Sequence, residues 1–258
     1  MNNQGKTKMF KDALRDLVLA GVQWELTETT NTASQNVQKM PIEKTVAQGV
    51  GRMPSAVVPP IAPVQTISLD TVRSMASRPT DIAALNRMIQ EFNHPLRGVA
   101  TNTVLPHVGQ GKLLILTDMP SSNDDESGCI LSGAVGELMD KMLNAIGLSR
   151  ECVSIVPMLF WRTPGGRTPS REELDLSRPF VDKAIELLAP SVVLTLGTLP
   201  AFEYANINLA KLHGVTSVLE NGMTIMPIFH PNYLILKPAA KRDVWNALQN
   251  VQNILKNA

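Results

Sequence analysis

The sequence predicts an α/β fold, a three-layer α/β/α sandwich around a four-stranded parallel sheet in the C-terminal part of the chain. Three observations carry this. Four short apolar runs (112–117, 153–160, 191–196 and 223–229) are bounded by glycine, proline or polar residues, as buried parallel strands are. Each run is followed by a stretch of helical apolar spacing, and repeated strand–helix alternation puts helices on both faces of a parallel sheet. Aromatic residues are absent between Trp24 and Phe92, which leaves that region poor material for a core.

The elements follow in order. Met9, Phe10, Ala13, Leu14, Leu17, Val18 and Val22 have helical spacing, so residues 1–26 are expected to hold a short amphipathic helix. Residues 27–67 are polar and contain Pro59, Pro60 and Pro63, the composition of a linker expected to be disordered. A helical pattern returns over 68–93 as a lead-in (Val72, Met75, Ile82, Leu85, Met88, Ile89). The domain proper is expected over 94–258. Its first strand, Lys112–Thr117, precedes a helix carrying Ala134, Val135, Leu138, Met139, Met142, Leu143 and Ile146, stopped at Gly147. The second strand, 153–160, leads through a polar loop to a helix over about 171–188. The third, 191–196, is followed by a helix near 200–205, and the fourth, 223–229, by a closing helix over about 239–255.

The 258-residue chain has 24 basic against 23 acidic side chains, which excludes a uniformly basic nucleic-acid wrapper but permits a local basic face. Its two cysteines, Cys129 and Cys152, form no C-x-x-C pair, so neither a disulfide framework nor a structural zinc site is expected. No run of about 18 apolar residues occurs, no signal-peptide core is present, and a reducing cytoplasm is the expected compartment.

In such sheets ligands bind outside the carboxyl ends of the strands, so the informative loops follow Thr117, Phe160, Leu196 and Phe229. The first, Thr117-Asp-Met-Pro-Ser-Ser-Asn-Asp-Asp-Glu126, carries four carboxylates, with Asp118 nearest the sheet. An acid there can orient or deprotonate water, or stabilise a cationic transition state; as an ordinary loop, its Asp and Ser residues would satisfy turn backbone. The second places Arg162 and Arg167 between prolines and glycines, a stiff basic loop suited to phosphate or simply a wide turn. Gly197-Thr198 opens a helix, where backbone amides favour an anion, although the pair also serves as a plain turn. The last loop begins with His230 and leads to Lys237, Lys241 and Arg242; from His230 to the C-terminus four basic side chains face one acidic. A lone histidine is more often structural than catalytic. Convergence of an acid, a histidine, a glycine turn and two basic loops on one rim points to a polyanionic substrate.

These loops resemble the uracil-DNA glycosylase superfamily, specifically its bacterial and archaeal family-four type, over about residues 94–256. Arg162-Thr-Pro-Gly-Gly-Arg-Thr-Pro169 is similar to that family's R-P-P-x-N-R-x-P, and His230-Pro-Asn-Tyr-Leu234 to its H-P-S-Y-L. Pro238–Trp245 resembles the helix that follows, and Gly128 with Gly133–Asp140 the G-x-P-F-V-G-x-x-G-x-L-L-D segment. The resemblance implies a base-excision repair protein that flips a deaminated base from DNA and hydrolyses its N-glycosidic bond. Asp118 would position water and stabilise the oxocarbenium, and His230 would stabilise the departing base. Met119, Pro120, Leu131 and Pro157 would line the base pocket. Arg162, Arg167, Gly197, Thr198, Asn232, Lys237, Lys241 and Arg242 would meet the DNA backbone.

The departures shape the expectation further. The family's G-E-x-P-G is Thr117-Asp-Met-Pro-Ser121 here, so the acid reaches about 1.5 Å less far. The base-stacking phenylalanine corresponds to Leu131, and the asparagine that reads uracil's edge to Pro157, which has no side-chain amide. The cluster-binding cysteines correspond to Trp161, Ser177 and positions around Glu91 and His94, so no iron–sulfur cluster, and no other metal, is expected. Trp161 is expected to fill the vacated space. These losses motivate an alternative, a catalytically degenerate DNA-binding module. A small-molecule enzyme is the weaker third reading, because no G-x-G-x-x-G or P-loop follows any strand. DNA is the expected partner of a monomer acting on the bacterial nucleoid. The N-terminal ninety residues read either as a disordered lead or as a tether to a repair or replication protein.

Overall fold

The computed structural model describes residues 68–219 and 222–257. The expected N-terminal helix, the linker and the tether lie outside the described residues.

Residues buried on both faces of a sheet should be largely apolar, and three strands meet that condition, with Thr117, Ser154 and Thr195 as their buried polar residues. β1 (Leu113–Thr117), β2 (Val153–Pro157) and β3 (Val192–Leu196) are buried at all five positions. β5 (Thr224–Ile228) is buried from its second residue onward. These four are parallel, in the order β2-β1-β3-β5. A fifth strand corrects the expected count of four: β4 (Ser217–Val218) pairs antiparallel with the start of β5, and Leu219 N–H donates to Met223 O. Two residues, one of them a Val218 that is 70% exposed, form too short and too open a strand to leave an apolar run in the sequence.

The other sheet edge is protected. Val104 and His107 exchange backbone bonds with Phe160 and Ile155 alongside β2. Gly109 and Gly111 permit this approach, since a Cβ at either would strike the Val153 or Cys152 carbonyl.

Helices cover both faces. On one, α4 (Gly133–Ala145) and α9 (Lys241–Asn257) bury Met139, Met142, Leu143, Val244, Leu248 and Val251 against Leu113, Ile115, Val192, Leu194 and Met226. On the other, α5 (Arg171–Leu188) packs on β2 and holds α1 (Leu69–Ala76) and α2 (Ile82–Glu91). The 68–93 pattern is therefore two helices, separated where Pro79 interrupts the backbone and Asp81 caps the second by accepting from Ala84 N–H. α6 (Thr198–Ala205), α7 (Leu209–Leu212) and α8 (Pro231–Leu236) complete the rim. No helix among the described residues is long and apolar enough to cross a membrane.

The segment after β1 also differs from expectation. Ser121 and Asp124 form a reciprocal capping box that starts a short helix, α3 (Ser122–Ser127), inside what reads as a carboxylate-rich loop.

Candidate active site on the carboxyl rim of the sheet

Sheet order places the exits of β1, β3 and β5 side by side, so groups following them can meet. His230, two residues beyond β5, reaches across the end of β3 toward β1. Gly197 lies at this crossing with φ +90°, where a side chain would be strained, although a Cβ there would make only ordinary contact with that of His230, at 3.6 Å. Its N–H donates to Ile228 O at 2.9 Å, tying the two exits together.

His230 Nε2 lies 3.7 Å from Asp118 Oδ1, an electrostatic contact too long for a good hydrogen bond. Thr117 Oγ1 is closer, at 3.2 Å from the same nitrogen. His230 caps α8, and its Nδ1 accepts the Asn232 backbone N–H at 3.2 Å. Nδ1 therefore carries no proton, and the hydrogen-bond geometry assigns the ring proton to Nε2, facing Asp118 and Thr117. Although 38% of the Asp118 side chain remains open to water, the surrounding protein desolvates it enough to push its carboxyl above the ordinary value. The neighbouring His230 opposes that push, and Asp124 adds slightly to it.

The other carboxylates after β1 do different work. Asp124 accepts from Ser121 N–H, Ser132 N–H and Ser132 Oγ–H, and Asp125 accepts from the Thr101 and Asn102 amides. Both are buried and anchor loops, and Glu126 bonds Ser122 Oγ on the outside. Of the four, Asp118 is the one beside His230.

The expected pocket residues surround the same exits. Met119 and Pro120 follow Asp118, and Met119 Sδ lies 3.2 Å from Thr163 Oγ1. Pro157 ends edge strand β2 opposite Thr117, a place where a missing N–H is tolerated. Leu131 is buried and left-handed, at φ +50°, an unfavourable conformation for a non-glycine residue. Arg150 holds it there. Its guanidinium donates to Ile130 O (3.0 Å), Leu131 O (2.9 Å) and Asp140 Oδ1 (2.9 Å). Gly136 lets the helix pass directly beneath the Leu131 carbonyl. Arg150→Ala should leave two carbonyls unpartnered and cost about 2 kcal/mol in denaturant unfolding. Lysine, with one ammonium for three acceptors, should recover less than half of that loss. Full recovery by lysine would rule out the fork as the restraint.

Among the expected DNA-facing cations, the two loop arginines part company. Gly165 and Gly166 are both left-handed and turn the loop, which Thr163 Oγ–H closes by donating to Arg167 O at 2.6 Å. Arg167 donates to both carboxylate oxygens of Glu173, the capping-box residue of α5, and this pairing pulls the Glu173 carboxyl below its ordinary value. Its guanidinium fastens the loop to α5, with half the side chain still open. Arg162 is half-buried and lies along Gly166. Thr198 opens α6, whose N-cap glycine offers no side chain to its first-turn amides. Asn232 is exposed, and Lys237 sits with its ammonium 5.4 Å over the Tyr233 ring. Lys241 and Arg242 are exposed on the first turn of α9, where the helix dipole disfavours cations. Ile235 and Leu236, 43% and 58% exposed beside Lys237, are an apolar pair that periodicity did not distinguish from core.

The positions set against cluster-binding cysteines are largely brought together. Trp161 stacks on His94 (4.7 Å between centroids, 12° between planes), and Ser177 Oγ lies 3.5 Å from His94 Nε2. Glu91 is exposed, at the end of α2. His94 Nδ1 accepts from Leu96 N–H and its Nε2–H donates to Glu173 O, while Trp161 Nε1–H donates to Thr103 Oγ1. This donor set, without a thiolate and with its polar atoms already bonded inward, does not fit a thiolate-held cluster. The chain's only cysteines are exposed elsewhere.

Residues 106–249, more than half of the chain, match the family described as the uracil DNA glycosylase superfamily. A type-4 uracil-DNA glycosylase of Pyrobaculum aerophilum is 29% identical over 175 residues, 63% of this chain and 89% of that protein. One from Thermotoga maritima is 30% identical over 171 residues, 63% of this chain and 88% of that protein. One from Sulfurisphaera tokodaii is 27% identical over 155 residues, 56% of this chain and 70% of that protein.

Proposed function

Since the chain belongs to the uracil DNA glycosylase superfamily, we propose that it is a base-excision repair enzyme that hydrolyses the N-glycosidic bond of a deaminated base flipped out of DNA. The observation that carries this reading is the meeting of Asp118 and His230 at 3.7 Å, from strands that are not neighbours in the sheet. Water held by the Asp118 carboxylate adds through its oxygen to C1′ of the deoxyribose as the C1′–N bond breaks. The bonding pair leaves with the base, and the His230 Nε2–H donates to the charge developing there. The water's proton passes to the carboxylate or to solvent, leaving free base and an abasic site. A charged carboxylate beside C1′ also stabilises the oxocarbenium character of the transition state.

DNA would lie across the rim, its phosphates on Arg162, the first-turn amides of α6 at Thr198, Asn232, Lys237, Lys241 and Arg242. Ile235 and Leu236 would enter the stack where the base has left, as apolar wedges do. The protein would work without an iron–sulfur cluster, its place taken by the His94–Trp161 stack.

The test is incubation of the purified protein with oligonucleotides bearing uracil, hypoxanthine or xanthine, followed by alkaline cleavage at abasic sites. Cleavage at uracil is the expected outcome. Its absence with all three bases overturns the catalytic reading. One observation favours a second reading: Pro157, at the matched asparagine position, offers no side-chain amide to read a base edge. A non-catalytic DNA-binding module would bind the same oligonucleotides without releasing base, its log affinity falling by ~0.9 per phosphate contact against log salt.

A further inference from the structure

We propose that Thr117 is a positioning residue whose hydroxyl keeps Asp118 and His230 apart and aims the His230 Nε2–H; this rests on the glycosylase reading for its purpose, not for its geometry. Thr117 is the last residue of β1 and is 1% exposed. Branching at Cβ and burial in the sheet leave its side chain little rotational freedom. Its oxygen stands 3.2 Å from His230 Nε2, nearer than the Asp118 carboxylate at 3.7 Å.

The direction of the bond follows from the other ring nitrogen. Asn232 N–H occupies Nδ1, so Nε2 bears the proton and donates, and Thr117 Oγ1 accepts. The hydroxyl proton is then left to donate toward the adjacent Asp118 carboxylate, whose pKa the Thr117 side chain lowers. The result is a chain from His230 Nε2–H to Thr117 Oγ–H to the Asp118 carboxylate. The same polarity rules out Thr117 as a nucleophile activated by His230, because a protonated Nε2 cannot accept the hydroxyl proton.

Without the hydroxyl, the Nε2 side of the imidazole has the carboxylate as its nearest acceptor, and the Asn232 bond holds the ring only at Nδ1. A direct Asp118–His230 contact would bind the N–H to a charged acceptor, from which the base would draw it less readily than from the neutral Thr117 hydroxyl. The backbone at this exit is already fixed, since Met158 N–H reaches both Thr117 O and Asp118 O, at 2.9 and 2.8 Å. What the hydroxyl adds is the placement of two side chains rather than of the strand.

The experiment compares wild type with Thr117→Val, Thr117→Ala and Thr117→Ser, each first shown to be folded by thermal unfolding. Ring ¹⁵N–¹H NMR, with His230 assigned by its loss in His230→Ala, reads the tautomer and the exchange of Nε2–H without requiring activity. Wild type and Thr117→Ser should show the protonated Nε2 in slow exchange; Val and Ala should exchange it about tenfold faster or move the tautomer balance. On uracil-containing DNA, Val and Ala should lower kcat about tenfold at unchanged KM, with Ser close to wild type. An unchanged His230 ring spectrum in both Val and Ala overturns the proposal even where base is released. Altered ring spectra in a protein that releases no base would leave the positioning role standing and remove the glycosylase reading instead.

Discussion

Asp118→Asn is expected to lower base release by about 10²–10⁴-fold while raising thermal stability at neutral pH. The loss follows from chemistry: an amide neither accepts a proton from water nor offsets positive charge at C1′. The gain follows from the cost of holding the charge. Desolvation dominates the Asp118 environment and raises its pKa in the folded protein, with His230 opposing. A carboxyl whose folded pKa lies above its unfolded value weakens the fold wherever both states are ionised. The penalty is present at neutral pH and disappears as the pH falls through the folded value toward the unfolded one. Asparagine, always neutral, removes it, so the difference in Tm between variant and wild type should be positive at neutral pH and shrink on acidification. His230→Ala should also lose release but with the opposite sign of stability change at neutral pH, because it removes the group that opposes the Asp118 shift. An Asp118→Asn variant that keeps full release, or that melts earlier than wild type at neutral pH, would show that this carboxylate is neither the catalyst nor under strain.

The sites of these substitutions differ in how far the sequence reveals them. Asp118 and His230 were legible because both follow apolar runs that could only be buried parallel strands, and strand exits are where such sheets bind ligands. Thr117 was not, because as the last residue of a leucine-rich apolar run it reads as strand, and its contact with His230 spans 113 residues. Arg167 looked equivalent to Arg162; only the position of Glu173 on the first turn of α5 separates a loop fastener from a cation with no ion-pair partner among the described residues. The second apolar run overshoots its strand for a physical reason. Met158, Leu159 and Phe160 are as buried as strand residues, but Met158 N–H turns to the β1 exit and ends the ladder. The left-handed Leu131 left no trace, since its strain is held by an arginine nineteen positions away.

Trp161→Ala is expected to cost roughly 3–5 kcal/mol of folding free energy, a large part of the 5–15 typical of a whole domain. Trp161 is fully buried and lies in an aromatic group with His94, Phe92 and Phe160; Phe92 in turn packs on Phe180 at 4.9 Å. That group joins three parts of the chain: the segment after α2, the exit of β2 and the middle of α5. Truncation removes the largest side chain at their junction and leaves the Thr103 hydroxyl without its indole donor. It also uncovers one face of His94, which gives the substitution a second signature. Burial holds the His94 imidazole below its ordinary pKa, against the weaker pull of Glu173. The unfolded chain therefore takes up a proton that the folded protein refuses. Wild-type stability should be full above about pH 6.5 and decline as the pH falls from there toward the folded value. With Trp161 gone, water reaches His94 and the decline should become shallower. Denaturant unfolding of both proteins at about pH 7.5 and about pH 5.5 measures the two effects together. A loss under ~1 kcal/mol at the higher pH, or equal acid sensitivity in the two proteins, would mean that the stack does not hold these three segments together.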